Sequence, residues 1–232
     1  MHNTQKIQKE TGGYISTLLR DYFGKGPSSV FVTVNKPFVT FYLSGFLSPT
    51  ERILLKQNET RRILETRDLL MNDLEEEIKL QLQKIAQLEI KEIYADWNLD
   101  MKTGMIIAVM DNEDAKDDIP WPEAIDKESF HDKVNLASKR AQKTPESTES
   151  YWLSDRTILI RRQGIFVEIE KELIKGGFIE ELKLVKRPLE RGLLEKVNLE
   201  EDLNQQIQEM FFDWNFETDK GYTVILLAPT DN

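Results

Sequence analysis

The sequence predicts an α+β protein built from two tandem αββαββ repeats. Each repeat is a mainly antiparallel sheet covered by helices, and the two are expected to be related by a pseudo-twofold axis. Three observations carry this. The stretch Asp96-Trp97-Asn98-Leu99-Asp100-Met101-Lys102-Thr103-Gly104 recurs about half a chain later as Asp213-Trp214-Asn215-Phe216-Glu217-Thr218-Asp219-Lys220-Gly221. The two copies share Asp, Trp, Asn and Gly, and differ conservatively at Leu99/Phe216 and Asp100/Glu217. Each leads into an apolar run with strand character, Met105 to Met110 and Tyr222 to Ala228, and each follows a hairpin pattern and then a helical one. The boundaries drawn are a first repeat over 1–112, an acidic linker over 113–127 and a second, diverged repeat over 128–232.

The first helix is expected over 4–23, where Ile7, Thr11, Ile15, Leu18, Leu19 and Tyr22 fall near one face. Gly12-Gly13 weakens its first half, so the solid part is expected from Tyr14. Gly24-Lys25-Gly26-Pro27 stops it, glycine supplying a left-handed cap and proline blocking continuation. This turn follows a helix and precedes a strand, the reverse of a phosphate-binding loop. Val30 to Val34 and Phe38 to Leu43 form a hairpin around Asn35-Lys36-Pro37. Ser48-Pro49-Thr50-Glu51 is a helix start, with Ser48 as N-cap, Pro49 at the first helical position and Glu51 closing a capping box. The helical pattern to Leu88 is too long for one small sheet. It reads as two helices with a break at Asn58 or Asn72, or as one helix reaching onto a neighbour. Glu75-Glu76-Glu77 reads as a solvated face. Ile90 to Trp97 and Met105 to Met110 close the sheet.

Pro120 and Pro122 around Trp121 mark the boundary, with Trp121 expected to anchor the linker on one of the repeats. In the second repeat Phe130 to Lys143 is the first helix, and Tyr151 to Ser154 with Thr157 to Arg162 the hairpin. Gly164 corresponds to Gly45, and Glu170-Lys171 to Glu51-Arg52. Gly176-Gly177 and Pro188 interrupt the long helix, giving two or three shorter ones. Gln208 to Trp214 and Tyr222 to Ala228 close this sheet.

The 232 residues carry a net charge of −10, from 31 basic and 41 acidic residues, and 40% are hydrophobic. That balance supports a substantial core and argues against nucleic acid as partner. There is no cysteine and there are two histidines, which excludes thiolate chemistry and argues against a Ser-His relay or a multi-histidine metal site. No apolar run suggests a membrane span, and the polar Met1 to Glu10 stretch predicts no signal peptide. Lys183, Lys186, Arg187 and Arg191 cluster near Pro188, with Arg161-Arg162 on a strand. They are expected to balance Glu180, Glu181 and Glu190; the alternative is an anionic partner or membrane surface.

Alternating Asp96, Asn98, Asp100 and Asp213, Asn215, Glu217 are the candidate ligand-binding residues, because oxygen side chains at every second position resemble the first half of a calcium loop. Met101 and Ile107 stand where that loop needs glycine and glutamate. The structural reading is preferred: Trp97 and Trp214 pack inward, and the polar residues satisfy backbone groups at the turns before Gly104 and Gly221. No catalytic residue, metal or cofactor is expected.

The Gly24-Lys25-Gly26-Pro27 turn, the hairpin and Leu47-Ser48-Pro49-Thr50-Glu51 resemble the MpsC family, named for a sodium-translocating, membrane-potential-generating system. Its members carry a helix ending in G-[RK]-G-P, a hairpin, and L-T-P-A-E opening a long helix. They close with an aspartate about six residues before T-G. The resemblance covers residues 5–110. The aspartate position is Asn98 here, with Asp96 two residues earlier, and the second repeat lacks both the Gly-Lys-Gly-Pro turn and the Ser-Pro start. If those turns carry the family's function, the second repeat has lost it. The resemblance implies a non-catalytic accessory or regulatory protein working with membrane transporter subunits of an ion or bicarbonate uptake system. Such a protein would be cytoplasmic or peripheral to the inner face of the cell membrane. It would be an intramolecular pseudo-dimer open to further homo-oligomerisation. The alternatives are a small-molecule or cation sensor and, behind it, a carboxylate-dependent hydrolase.

Overall fold

A computed structural model describes residues 2–111 and 120–229 of the chain. It divides into two compact units, Met1–Asp118 and Ile119–Asn232. Positions 113–119 of the expected linker lie outside the described residues.

Unit 1 runs α1 (His2–Phe23), β1 (Ser29–Asn35), β2 (Phe38–Ser44), α2 (Pro49–Lys56), α3 (Thr60–Ala86), β3 (Ile90–Asn98) and β4 (Thr103–Met110). Its sheet has the order β1-β2-β4-β3, and every pairing is antiparallel. Helix α1 covers the expected 4–23 and is continuous through Gly12-Gly13, against the expectation that its solid part begins at Tyr14. The physical reason is close approach: a Cβ at Gly12 would stand 3.0 Å from Val32 Cγ2, so glycine lets α1 lie on β1. The helix ends where expected, with Gly24 at φ 73° and Pro27 buried. Of the two candidate breaks in the long helical pattern, Asn58 is the one used. It has φ 59°, a conformation asparagine tolerates, and it separates α2 from α3. Tyr22 donates to Glu77 at 3.0 Å, tying α1 to α3. The core holds Ile15 and Leu19 of α1, Phe41 and Leu43 of β2, Phe46, and Ile63, Leu74, Ile78 and Leu82 of α3.

Unit 2 runs α4 (Lys127–Ala141), β5 (Ser147–Ser154), β6 (Thr157–Gln163), α5 (Glu168–Lys175), α6 (Ile179–Glu195), α7 (Leu199–Leu203), β7 (Ile207–Asn215) and β8 (Lys220–Leu227). Its sheet order, β5-β6-β8-β7, repeats that of unit 1, again wholly antiparallel. A register shift falls at the same place in both, between Ile90 and Glu92 and between Ile207 and Glu209. The fold is α+β, with two similar halves. Gly176-Gly177 separates α5 from α6 as expected, but Pro188 does not interrupt anything: it lies inside α6. Pro188 is exposed, so solvent can take up the carbonyl that its missing N–H leaves unbonded. The second break comes instead before α7, at Asn198 with φ 52°. Trp121 packs on unit 2, with ring centroids 5.3 Å from Phe130 and 5.4 Å from Trp152, and its Nε1 donates to Ile125 O at 2.9 Å.

Candidate functional site

The repeated Asp-Trp-Asn corner sits at the end of the third strand of each unit. Trp97 and Trp214 are 4% and 3% exposed and belong to their unit's core. Strand register sets Trp97 opposite Gly104 and Trp214 opposite Gly221. A Cβ on Gly104 would run into Cε3 of Trp97 and stand 2.7 Å from Cζ3. A Cβ on Gly221 would stand 2.7 Å from Ile165 Cδ1 and 3.1 Å from Trp214 Cδ1. The motif's glycine is therefore the floor under its tryptophan. The two indoles present different edges to it, the six-membered ring in unit 1 and the pyrrole edge in unit 2.

The polar residues of the motif serve the corner itself. Asp96 and Asp213, both buried, accept the N–H of the following tryptophan at 2.8 and 2.9 Å. Asn98 Oδ1 accepts from Met101 N at 3.1 Å, and Asn215 Oδ1 from Glu217 N and Thr218 N at 3.0 and 2.9 Å, which are Asx-type turn contacts. Asp100 and Glu217 are exposed. Among the described residues no group of three or more His, Asp or Glu side chains is arranged to hold a metal ion.

Behind each tryptophan lies a buried ion pair. In unit 1 it begins at the helix start read from the sequence. Ser48 Oγ accepts from the Glu51 N–H at 3.3 Å, and Glu51 Oε2 accepts from the Ser48 N–H at 2.7 Å, closing the capping box with Pro49 at the helix start. The Glu51 carboxylate then takes a second job. Arg67 on α3 donates Nε to Oε1 at 2.7 Å and Nη2 to Oε2 at 2.9 Å, a bidentate pair. Nη2 also reaches Phe46 O at 3.1 Å. Arg67 is 0% exposed, and its guanidinium stands 4.5 Å from the Phe46 ring and 4.8 Å from the Trp97 ring. Burial on its own would raise the Glu51 carboxyl. The hydrogen bonds and charge of Arg67, helped by Ser48, outweigh burial and hold it below its ordinary value.

Unit 2 keeps the pair and extends it. Val167 has no side-chain acceptor, so half of the box is gone, but Glu170 Oε2 still accepts from the Val167 N–H at 3.0 Å. Glu170 Oε1 accepts from Lys186 Nζ at 2.8 Å, and Glu170 and Lys186 have the same sixteen-residue separation as Glu51 and Arg67. Lys186 also pairs with Glu190 at 3.4 Å, and Glu190 with Arg162. Arg162 occupies on β6 the place of Leu43 on β2, each paired in register with its motif glycine. Arg162 Nη1 donates to Ser138 Oγ at 2.6 Å, and Lys183 pairs with Asp213 at 3.2 Å. Burial would raise the Glu190 carboxyl, but Arg162 and Lys186 together hold it below its ordinary value.

This settles where the basic cluster goes. Lys183, Lys186 and Arg187 are buried, and the ion pairs of Lys183 and Lys186 run to Asp213, Glu170 and Glu190. Of the expected balancing acids, Glu190 takes that part. Arg67 was missed from the sequence, as was the pairing of each capping glutamate with a cation, Glu51 with Arg67 and Glu170 with Lys186. The available signal was the sixteen-residue spacing from a capping glutamate to a cation, present in both repeats. Also missed was Asp219, whose Oδ1 accepts from Ile165 N and Phe166 N at 2.7 and 2.9 Å and pins the loop before α5. The structure also brings His131 Nε2 to 2.9 Å from Ser150 Oγ. His131 has its pKa lowered by burial first and by Lys127, against the pull of Asp132. Ser150 is itself buried on β5, a poor position for a nucleophile that must meet a substrate.

Residues 3–112 match the family model described as MpsC, Na+-translocating membrane potential-generating system. No curated protein matches the chain, and no solved structure does.

Proposed function

We propose, with residues 3–112 forming a domain of the MpsC family, that the chain is a non-catalytic accessory or regulatory protein of a membrane ion-translocating system. The family match carries this reading. Unit 1 supplies the domain that engages the system, and unit 2 is the diverged companion that lacks the Gly-Lys-Gly-Pro turn and the Ser-Pro helix start. The role is exercised at the cytoplasmic face through contacts with membrane subunits. Among the described residues no helix is long and apolar enough to cross a membrane. The chemistry of the buried acids supports a non-catalytic role. Glu51 and Glu190 are held ionised by their cations, so neither carries a proton to donate at neutral pH, and neither is free as a base.

Affinity purification of the full chain from detergent-solubilised membranes of its own cells tests this. Recovery of an integral membrane subunit of an ion-translocating complex in fixed stoichiometry is the expected result. Recovery of the chain alone from membranes that contain that complex contradicts the proposal.

A further inference from the structure

Among the described residues, Nη1 of Arg67 and Nε1 of Trp97 are buried hydrogen-bond donors in the core of unit 1 without an acceptor from the protein. Both side chains are more than nine-tenths buried. The guanidinium lies 4.8 Å from the Trp97 ring, so the two donors share one small region of the core. A buried donor that meets no acceptor costs free energy, and more so when it is charged.

Unit 2 shows what chemistry meets such donors. Its cation is Lys186, and its indole is Trp214. One helical turn beyond Lys186 stands Glu190, 3% exposed, whose carboxylate pairs with Lys186 at 3.4 Å and accepts from Trp214 Nε1 at 3.1 Å. One turn beyond Arg67 stands Met71. The first repeat thus has the cation and the indole, and a neutral thioether in place of the carboxylate. Met71 is unbranched, and such a side chain repacks readily around a small guest.

We infer that the Arg67–Trp97 centre of unit 1 receives a small oxyanion of the carboxylate class, and that Glu190 is the tethered carboxylate that keeps the second repeat permanently filled. Glu51 already occupies Nε and Nη2 of Arg67, which leaves Nη1 to make a charge-assisted bond to the anion. Because the Arg67–Glu51 pair is already neutral, the guest adds an uncompensated charge to a buried site. That favours a monoanion of few atoms, held weakly enough to follow its concentration.

Formate and acetate are the probes, titrated into the full chain at constant ionic strength against chloride. The readout is the indole N–H resonances, with Trp97 and Trp214 assigned through Trp97→Phe and Trp214→Phe. Formate is expected to shift the Trp97 signal saturably while the Trp214 signal stays fixed. In Met71→Glu the Trp97 signal should lie near its formate-bound position without added anion and no longer respond. In Glu190→Gln the Trp214 signal should become formate-responsive. Should Met71→Glu fail to fold, the wild-type titration and Glu190→Gln still decide. A Trp97 signal that ignores both anions, or one that responds equally in Met71→Glu, overturns the inference and leaves the two donors as solvated core groups.

Discussion

Trp97 and Gly104 show how much of the repeated motif is packing. The glycine has no freedom to become anything else, because the indole lies where a side chain would begin. Gly221 is under less pressure: its nearest neighbour is the far end of Ile165, which can rotate away. Gly104→Ala should therefore cost about 1–3 kcal/mol of unfolding free energy through overpacking, and Gly221→Ala less. Denaturant melts of the two variants check the order; equal losses would mean the ring does not rest on Gly104 as described. The oxygen-bearing residues of the corner belong to the same scale. Asn98 and Asn215 are engaged with turn N–H groups, and Asp100 and Glu217 point into solvent. Millimolar calcium or magnesium should leave the melting temperature unchanged, and a saturable rise would reinstate the cation reading.

The short helix after the hairpin was half legible at the scale of the element. Ser48, Pro49 and Glu51 announce its start because capping is local chemistry, confined to four residues. Arg67 was not read, because its partner lies sixteen residues away across the Asn58 break and nothing local demands it; only the recurrence of that spacing in the second repeat signals it. Pro188 misled for the opposite reason: a local rule was overridden by a position on the solvent face. Val167→Ser should restore the missing half of the capping box and stabilise the chain by about 0.5–1 kcal/mol. Arg67→Met should cost about 3–5 kcal/mol, since it strands the Glu51 carboxylate, whereas adding Glu51→Leu to it should recover most of the loss. A double-mutant cycle by chemical denaturation reads both; additive losses would show that the pair is not coupled.

At the scale of the whole molecule, the likeness of the two halves was legible because a nine-residue corner recurs in both. The divergence of the cores was not, because a buried and an exposed lysine look alike in a sequence. Among the described residues unit 2 buries Arg162, Lys183, Lys186 and Arg187, where unit 1 buries Arg67. The carboxyls of Glu51 and Glu190 are held below the ordinary 4.5, so their stabilisation is complete above that value and is lost as pH falls through the folded-state value. Protonation then strands Arg67 in unit 1, and in unit 2 it takes the Glu190 carboxylate from both Arg162 and Lys186. The Trp214 indole resonance should therefore lose its folded position at a higher pH than that of Trp97, and simultaneous loss would contradict the difference between the cores. The proposed role of the chain in a membrane-potential-generating system is open to a measurement in cells: the sodium-dependent membrane potential of a strain lacking the chain. A lowered potential that the full chain restores is the expected result. An unchanged potential, in cells where the rest of the system is present and active, would contradict it.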